Sequence, residues 1–316
     1  MDNWQPSTLS WSFSRKTHFD SCRRHYFFHR FWGQDPKARW RLFEMRNLTT
    51  ITMLRGQVVH SVIANALQSI RYDIKLDAKT ARANITALLR ERYGESARRL
   101  WHIDNRPPGR KASEITSLLE HYYNFPNLNQ RARDAQQVAW QCITNLIESD
   151  FWANIENSDP GEWREVEESH FPSFELEGIQ VYTTIDFAHA NGSPTIIDWK
   201  TGTPSEQDRR QLTLYSLYAQ KRWEWDPLQT TLQAVYLQPE LVVESFTPSL
   251  ADLESVTEDV KASLNDMAEL EPAYGPADIE RFPMTQDTSN CAWCRFQGIC
   301  RMAKRIDLDS TVVSQD

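Results

Sequence analysis

An apolar run that ends in two opposite charges, Ile196-Ile197-Asp198-Trp199-Lys200, constrains this 316-residue chain more than any other segment. Its β-branched residues and its alternation predict a strand over 195–200, with Asp198 and Lys200 on one face and Ile197 and Trp199 on the other. A second alternating stretch, 179–189, precedes Asn191-Gly192-Ser193-Pro194, which reads as the turn of a hairpin. The length of that turn decides which side chains meet. A two-residue loop, Asn191-Gly192, sets Asp186 against Ile197 and on the wrong face. A three-residue loop, Asn191 to Ser193, with the glycine in the left-handed region, sets Asp186 opposite Asp198. The odd loop is therefore expected, and with it the pattern D-x11-D-x-K on two paired strands.

Around this pair the periodicity predicts a strand at 163–171, strands at 229–237 and 241–247, and helices at about 206–223 and 250–270. Ser205 with Asp208 three residues on forms a capping box that opens the first of these helices. The N-terminal half reads as helical, at 19–32, 54–72, 78–100, 112–123 and 128–150, with an irregular basic stretch at 33–50. Breakers at Pro107-Pro108-Gly109, Pro126-Asn127 and Pro160-Gly161 separate the blocks. Four regions follow from this reading: a basic, aromatic N-terminal segment (1–60), a helical subdomain (61–160), a core that carries the strand pair (161–270), and a C-terminal segment (271–316).

The net charge of −8 conceals a polarity. Residues 1–111 carry 21 basic and 9 acidic side chains, whereas residues 112–316 carry 14 and 34. The basic part is also rich in rings, from Trp11, Phe13 and Phe19 to Tyr26, Phe27, Phe28, Phe31, Trp32 and Trp40, interleaved with Arg15, Arg23, Arg24 and Arg30. Two readings stand: stacking on bases beside phosphates, or rings in the core with solvated arginines. The composition, 40% hydrophobic and 25% charged, excludes collagen-like, low-complexity and wholly disordered classes. No run of 18 uncharged apolar residues and no basic, apolar leader occurs, so a cytoplasmic protein without membrane contact is expected.

The five cysteines are too sparse for a secreted disulfide scaffold. Cys291, Cys294 and Cys300 form C-x2-C-x5-C near the C-terminus, a metal-site spacing in a reducing compartment. Three thiolates are one short of the four that zinc or an iron–sulfur cluster requires, and Cys22 is the natural fourth. Cys142, in Val138-Ala139-Trp140-Gln141-Cys142-Ile143, reads as a small buried hydrophobe.

Phosphodiester hydrolysis needs carboxylates that hold a divalent cation at the scissile phosphate and a positive group that orients water and offsets developing charge. Asp186, Asp198 and Lys200 are of those types. Gln211 and Tyr215, four apart, share a helical face and could touch a substrate backbone, and His60 follows Gly56 beside an apolar stripe.

Together these motifs resemble the PD-(D/E)XK nuclease superfamily, and within it the RecB-like nucleases that also carry a [4Fe-4S] cluster, such as the AddB nuclease domain, exonuclease V and the CRISPR-adaptation nucleases. The matching residues, in the family's order over 9–300, are Leu9-Ser10-Trp11-Ser12 leading to Cys22-Arg23-Arg24-His25-Tyr26, Gly56-x3-His60, Glu167, Ile185-Asp186, Ile197-Asp198-Trp199-Lys200-Thr201-Gly202, Gln211-x3-Tyr215, and Cys291-x2-Cys294-x5-Cys300. Arg23 stands where a proline often follows the first cysteine, and Ala64 where relatives often have a glutamate.

The resemblance implies an α/β, restriction-endonuclease-like fold: a mixed central sheet flanked by helices, with a helical insertion and an iron–sulfur staple joining the N- and C-terminal segments. It implies that His60, Asp186, Asp198 and the carbonyl of Trp199 bind Mg²⁺ or Mn²⁺ and that Lys200 positions the water. Glu167, or Glu168 beside it, is a further catalytic member, and Gln211, Tyr215, Arg23 and Arg24 support the site or contact DNA. It implies a [4Fe-4S] cluster on Cys22, Cys291, Cys294 and Cys300, with zinc as the alternative. The expected activity is metal-dependent cleavage of single-stranded DNA or DNA ends, in repair, recombination or bacterial or phage defence, with a helicase or integrase-type partner. The rival is a non-catalytic nucleic-acid-binding or assembly subunit with a structural metal site.

Overall fold

The structure, a computed structural model, describes residues 10–31, 36–166, 172–272 and 277–300, with backbone alone for 36–38. Its elements in chain order are β1 (Ser10–Trp11), α1 (Phe13–Ser21), α2 (Arg23–Arg30), α3 (Pro36–Arg46), β2 (Leu48–Thr49), α4 (Ile51–Ile70), α5 (Ala78–Ala97), β3 (Ser117–Leu118), α6 (Leu119–Tyr122), α7 (Leu128–Ile147) and α8 (Asp150–Glu156), followed by β4 (Trp163–Val166), β5 (Ser173–Leu176), β6 (Ile179–Tyr182), β7 (Phe187–His189), β8 (Thr195–Lys200), α9 (Glu206–Trp223), β9 (Thr231–Tyr236), β10 (Val242–Phe246) and α10 (Leu250–Leu270). The chain is therefore mixed α/β. It divides into two compact units, one from Met1–Thr50, Arg92–Pro126 and Ser263–Asp316, the other from Ile51–Glu91 and Asn127–Ala262. No helix among the described residues is long and apolar enough to cross a membrane.

The second unit is built on a five-stranded sheet of order β10-β9-β8-β7-β4. Only β8 and β9 run parallel; the other neighbours are antiparallel. That parallel pair needs a crossover, and α9 supplies it, burying Leu212, Leu214, Tyr215 and Tyr218. Strand β8 lies between β7 and β9, so Ile196 and Ile197 are fully covered, as a continuous apolar run requires. Helix α4 buries one stripe, Val58, Val59, Val62, Ile63, Ala66, Leu67 and Ile70, and packs against α7.

The stretch 179–189 is not one strand. It splits into β6, which pairs with β5, and β7, which enters the central sheet. The turn between β5 and β6 is the two-residue pair Glu177-Gly178, with φ of 51° and 83°, the geometry of a tight hairpin. Strand β5 escaped the sequence reading because its turn carries Glu-Gly instead of an Asn-Gly or Asp-Gly signal. The strand expected at 163–171 is seen as β4 to Val166, and 167–171 lie outside the described residues.

In the first unit the helix expected at 19–32 is two helices. Cys22 adopts an extended backbone between them, with φ −167° and ψ 117°. The irregular basic stretch expected at 33–50 contains α3. Residues 112–123, expected as one helix, hold a single 3-10 turn, β3 and the short α6, with β3 parallel to β2. Four rings of the basic segment are core: Trp11, Phe19, Tyr26 and Phe28 are buried, while Phe13, Phe27, Phe31 and Trp40 are half-buried. Phe19 and Tyr26 pack with Met267 and Phe282, and Phe28 packs with Trp101, Tyr122 and Phe296. Tyr26 donates its hydroxyl proton to Glu271 (2.7 Å), Arg24 Nε donates to the carbonyl of Phe282 (2.8 Å), and Tyr123 donates to that of Arg295 (2.8 Å). Side-chain packing and these bonds join the N- and C-terminal segments.

Candidate active site

Strand pairing brings the two aspartates together. The register Phe187↔Ile197, Ala188↔Ile196 and His189↔Thr195, continued one step, sets Asp186 opposite Asp198. This is the register that the odd loop predicts, with Asn191 to Ser193 at its tip. Asp186 Oδ2 accepts the backbone N–H of Trp199 at 2.8 Å, which fixes the carboxylate against the end of β8. Asp186 and Asp198 are 8% and 4% exposed, while the Trp199 ring is buried on the opposite face of the strand.

Lys200 meets three oxygen atoms. Its Nζ lies 2.6 Å from Asp198 Oδ2 and 3.1 Å from Asp208 Oδ1, and it donates to Gln211 Oε1 at 2.9 Å. Gln211 Nε2 in turn donates to the hydroxyl of Tyr215 at 2.6 Å. Gln211 and Tyr215 face the lysine because they are one turn apart on α9, whose start is set by Ser205 and Asp208. Asp208 does two jobs that the sequence reading reduced to one. Its Oδ2 accepts the N–H of Ser205 (2.9 Å) and the hydroxyl of Tyr236 (3.1 Å), which leaves Oδ1 turned to Lys200. An Asp at the third position of a helix that follows D-x-K by a short turn was the available signal.

His60 arrives from α4. Its Nδ1 is 3.2 Å from Asp186 Oδ1. Gly56, one turn earlier on the same face, explains the approach: a Cβ there would sit 3.2 Å from Thr201 Oγ1, so a larger side chain would hold the helix off the end of β8. Arg55 and Gln238 donate to the carbonyl of Thr201 at 3.2 and 2.6 Å, locking the turn after Lys200. Neither residue was marked by any motif.

The electrostatics are those of a site short of positive charge. Burial, and then the neighbouring Asp186 carboxylate, push Asp198 up to about 6 even though Lys200 pulls it down. Burial opposes the charge on Lys200, but the carboxylates of Asp198 and Asp208 outweigh it and raise its pKa. Burial would also raise Asp208, and Lys200 with the Ser205 bonds reverses this. Tyr215, raised by burial and by both aspartates, stays a neutral phenol. Two buried carboxylates beside a single ammonium suit a divalent cation, which removes their mutual repulsion.

In the other unit, Cys22, Cys291, Cys294 and Cys300 line one cavity of about 470 Å³, with His18, His25 and Trp293 on its walls. All four thiols are free, as is buried Cys142. Burial, and then the other three cysteines, push Cys294 up to about 12, and Cys291 is raised in the same sense. Four thiols on one cavity are a donor set that suits a cation. Among the described residues, no group of three or more His, Cys, Asp and Glu side chains converges on a single metal-ion position.

Residues 10–301 match the profile of the PD-(D/E)XK nuclease superfamily. The chain belongs to that superfamily. No curated protein matches it significantly. Among solved structures it is similar to "Crystal structure of SSO0001", with a TM-score of 0.28 and 14% identity over 55% of this chain and 80% of that one.

For a PD-(D/E)XK chain, the structure gathers at the end of β8 a His60–Asp186 pair and a bonded chain of Asp198, Lys200, Gln211 and Tyr215, and adds Asp208 to the latter. Glu167 and its alternative Glu168 lie outside the described residues. Arg23 stacks over the Phe19 ring at 3.4 Å, and Arg24, besides its bond to Phe282, lies 3.8 Å from Glu280. Both are in the unit of the cysteines, not that of the aspartates.

Proposed function

We propose that this protein is a metal-dependent DNA nuclease that hydrolyses phosphodiester bonds, acting on single strands or ends. The observation that carries the reading is Lys200 held between Asp198, Asp208 and Gln211 beside Asp186, in a chain of the PD-(D/E)XK superfamily. Asp186, Asp198, His60 and the Trp199 carbonyl would hold Mg²⁺ or Mn²⁺, with Glu167 as a further acidic member. When bound, the cation polarises the scissile phosphate and acidifies water. Lys200, kept protonated by two carboxylates, orients the attacking water and offsets charge on the phosphorane oxygens. Gln211 and Tyr215 hold Lys200 in place, and Asp208 shares that role.

The four cysteines that line one cavity support a [4Fe-4S] cluster of the RecB-like nuclease type, with zinc as the alternative. Arg23, with 30% of its side chain exposed, can meet a phosphate as well as the Phe19 ring; Arg24, at 12%, acts mainly through packing. A helicase or integrase-type partner and a role in repair, recombination or defence go with the RecB-like reading.

The test is digestion of end-blocked and free-ended, single- and double-stranded DNA with Mg²⁺ and with Mn²⁺. Cleavage that needs the cation and a free end supports the reading. Binding without cleavage of any substrate contradicts it.

A further inference from the structure

Arg55, on α4, is half-buried and pairs with no carboxylate among the described residues. Its Nη2 donates to the carbonyl of Thr201, the residue directly after Lys200, at 3.2 Å. That carbonyl already accepts a shorter bond, 2.6 Å, from Gln238 Nε2, so closing the turn does not require a guanidinium. Burial works against the charge on Arg55, and the group that acts in the other sense is the thiol of Cys142, itself pushed up to about 11 by burial and therefore neutral. A cation so placed costs free energy unless a negative charge meets it. Nε is buried without a hydrogen-bond partner, whereas Nη1, also unpartnered among the described residues, is not closed off from solvent. One side of the guanidinium is thus held by the turn and another is open. The turn lies at the carboxyl ends of the parallel strands β8 and β9, the end of an open α/β sheet where ligands bind. Arg55 and His60 leave α4 five residues apart, about 7.5 Å along the helix axis, a distance of the order of one nucleotide.

We propose that Arg55 binds a backbone phosphate of the substrate strand, next to the scissile one. The identity of this ligand rests on the nuclease reading. Nη2 has a second proton, so Nη1 and Nη2 together match two phosphate oxygens, and the bond to Thr201 fixes the fork before the strand arrives. Asp186, Asp198 and Asp208 outnumber the one charge of Lys200, so the carboxylates repel a polyanion. A guanidinium just beyond the lysine offsets that repulsion along the strand and leaves the carboxylates to the metal, because it pairs with none of them. A phosphate carries no base identity, so the contact positions the strand and does not select sequence.

The experiment measures binding of the full chain to a single-stranded oligonucleotide without divalent cation, and cleavage separately with Mg²⁺ or Mn²⁺. In Arg55→Gln the Thr201 carbonyl keeps its bond from Gln238, so the turn should survive. Binding should weaken about tenfold at low salt, and the slope of log K against log salt should fall by about 0.7, the share of one phosphate on a single strand. Arg55→Lys, which keeps the charge and loses the fork, should restore the slope without the full affinity. Oligonucleotides that each carry one neutral methylphosphonate locate the contact. At the linkage beside the cleavage position the replacement should weaken wild type about tenfold and Arg55→Gln hardly at all, a coupling that an arginine with a merely structural role would not show. A wild-type slope in Arg55→Gln, or methylphosphonates that cost both proteins equally at every linkage, would overturn the inference. DNA that wild type binds but never cuts contradicts the nuclease reading alone, and the slope and the methylphosphonate series then still report whether Arg55 meets a phosphate.

Discussion

Gly56 shows how a single absent side chain positions a catalytic group one turn away. With a Cβ 3.2 Å from Thr201 Oγ1, Gly56→Ala is tolerated by a shift of a few tenths of an ångström, and Gly56→Val is not. The valine variant should lose cleavage by tenfold or more, because His60 rides on the same helical face, and it should melt lower by about 1–3 kcal/mol of stability. Steady-state cleavage and denaturant unfolding read the two effects. Asp208→Asn tests the second anchor of Lys200: kcat should fall while KM for DNA stays within twofold, and Asp208→Glu should recover part of the rate. A KM effect alone would make Asp208 a helix cap and nothing more.

At the scale of elements, α2 is tied to the segment that follows α10 by a hydrogen bond that one atom reports. Tyr26→Phe removes the donor to Glu271 and should cost about 1.5–3 kcal/mol, the range for a bond to a charged group. Equilibrium unfolding measures it. In β7, burial lowers His189 below the ordinary 6.5. The unfolded imidazole takes up a proton as pH falls through about 6.5, whereas the folded one does so only at lower pH. Stability from keeping His189 neutral is therefore present above pH 6.5 and lost progressively below it. His189→Gln should flatten the acid limb of a stability–pH curve; an unchanged limb would deny the imidazole this role.

The elements legible in the sequence are those whose own periodicity fixes them. Strand β8, helix α9 and helix α10 begin and end where alternation, the Ser205-Asp208 cap and the 3.6 period put them. The loop argument gave the register of Asp186 and Asp198 because a one-residue slip would turn an apolar face to solvent. What was not legible depends on long-range packing. Nothing local distinguishes a helix that breaks at Cys22 from one that runs to 32, since the bend is set by neighbours such as Phe282, some 260 positions away. The rings of 11–31 read equally well as a stacking surface or a core until Met267, Phe282 and Phe296 are seen against them. Asp208 was visible as a cap, but its bond to Lys200 depends on how α9 docks.

At the scale of the whole chain, the basic first third and the acidic remainder predict DNA binding that weakens steeply with salt despite a net charge of −8. Removing basic residues between Arg15 and Arg55 should flatten the slope of log K against log salt; removing Lys261, which pairs with Glu177 at 2.7 Å, should not. Anaerobic protein should be brown and carry about four irons per chain. Cys22→Ala should bleach it and lower its Tm, whereas Cys142→Ala should cost only packing. Colourless protein with one zinc would replace the cluster with zinc and leave the aspartate site intact.

The most direct test of the account is Asp198→Asn, assayed for cleavage with Mg²⁺ and Mn²⁺ and for stability without either cation. Burial and the Asp186 carboxylate work against an ionised Asp198. The neutral isostere should therefore match or exceed wild type in metal-free stability while losing cleavage by at least a thousandfold, with DNA binding retained. Wild-type cleavage by Asp198→Asn would contradict the assignment of this site.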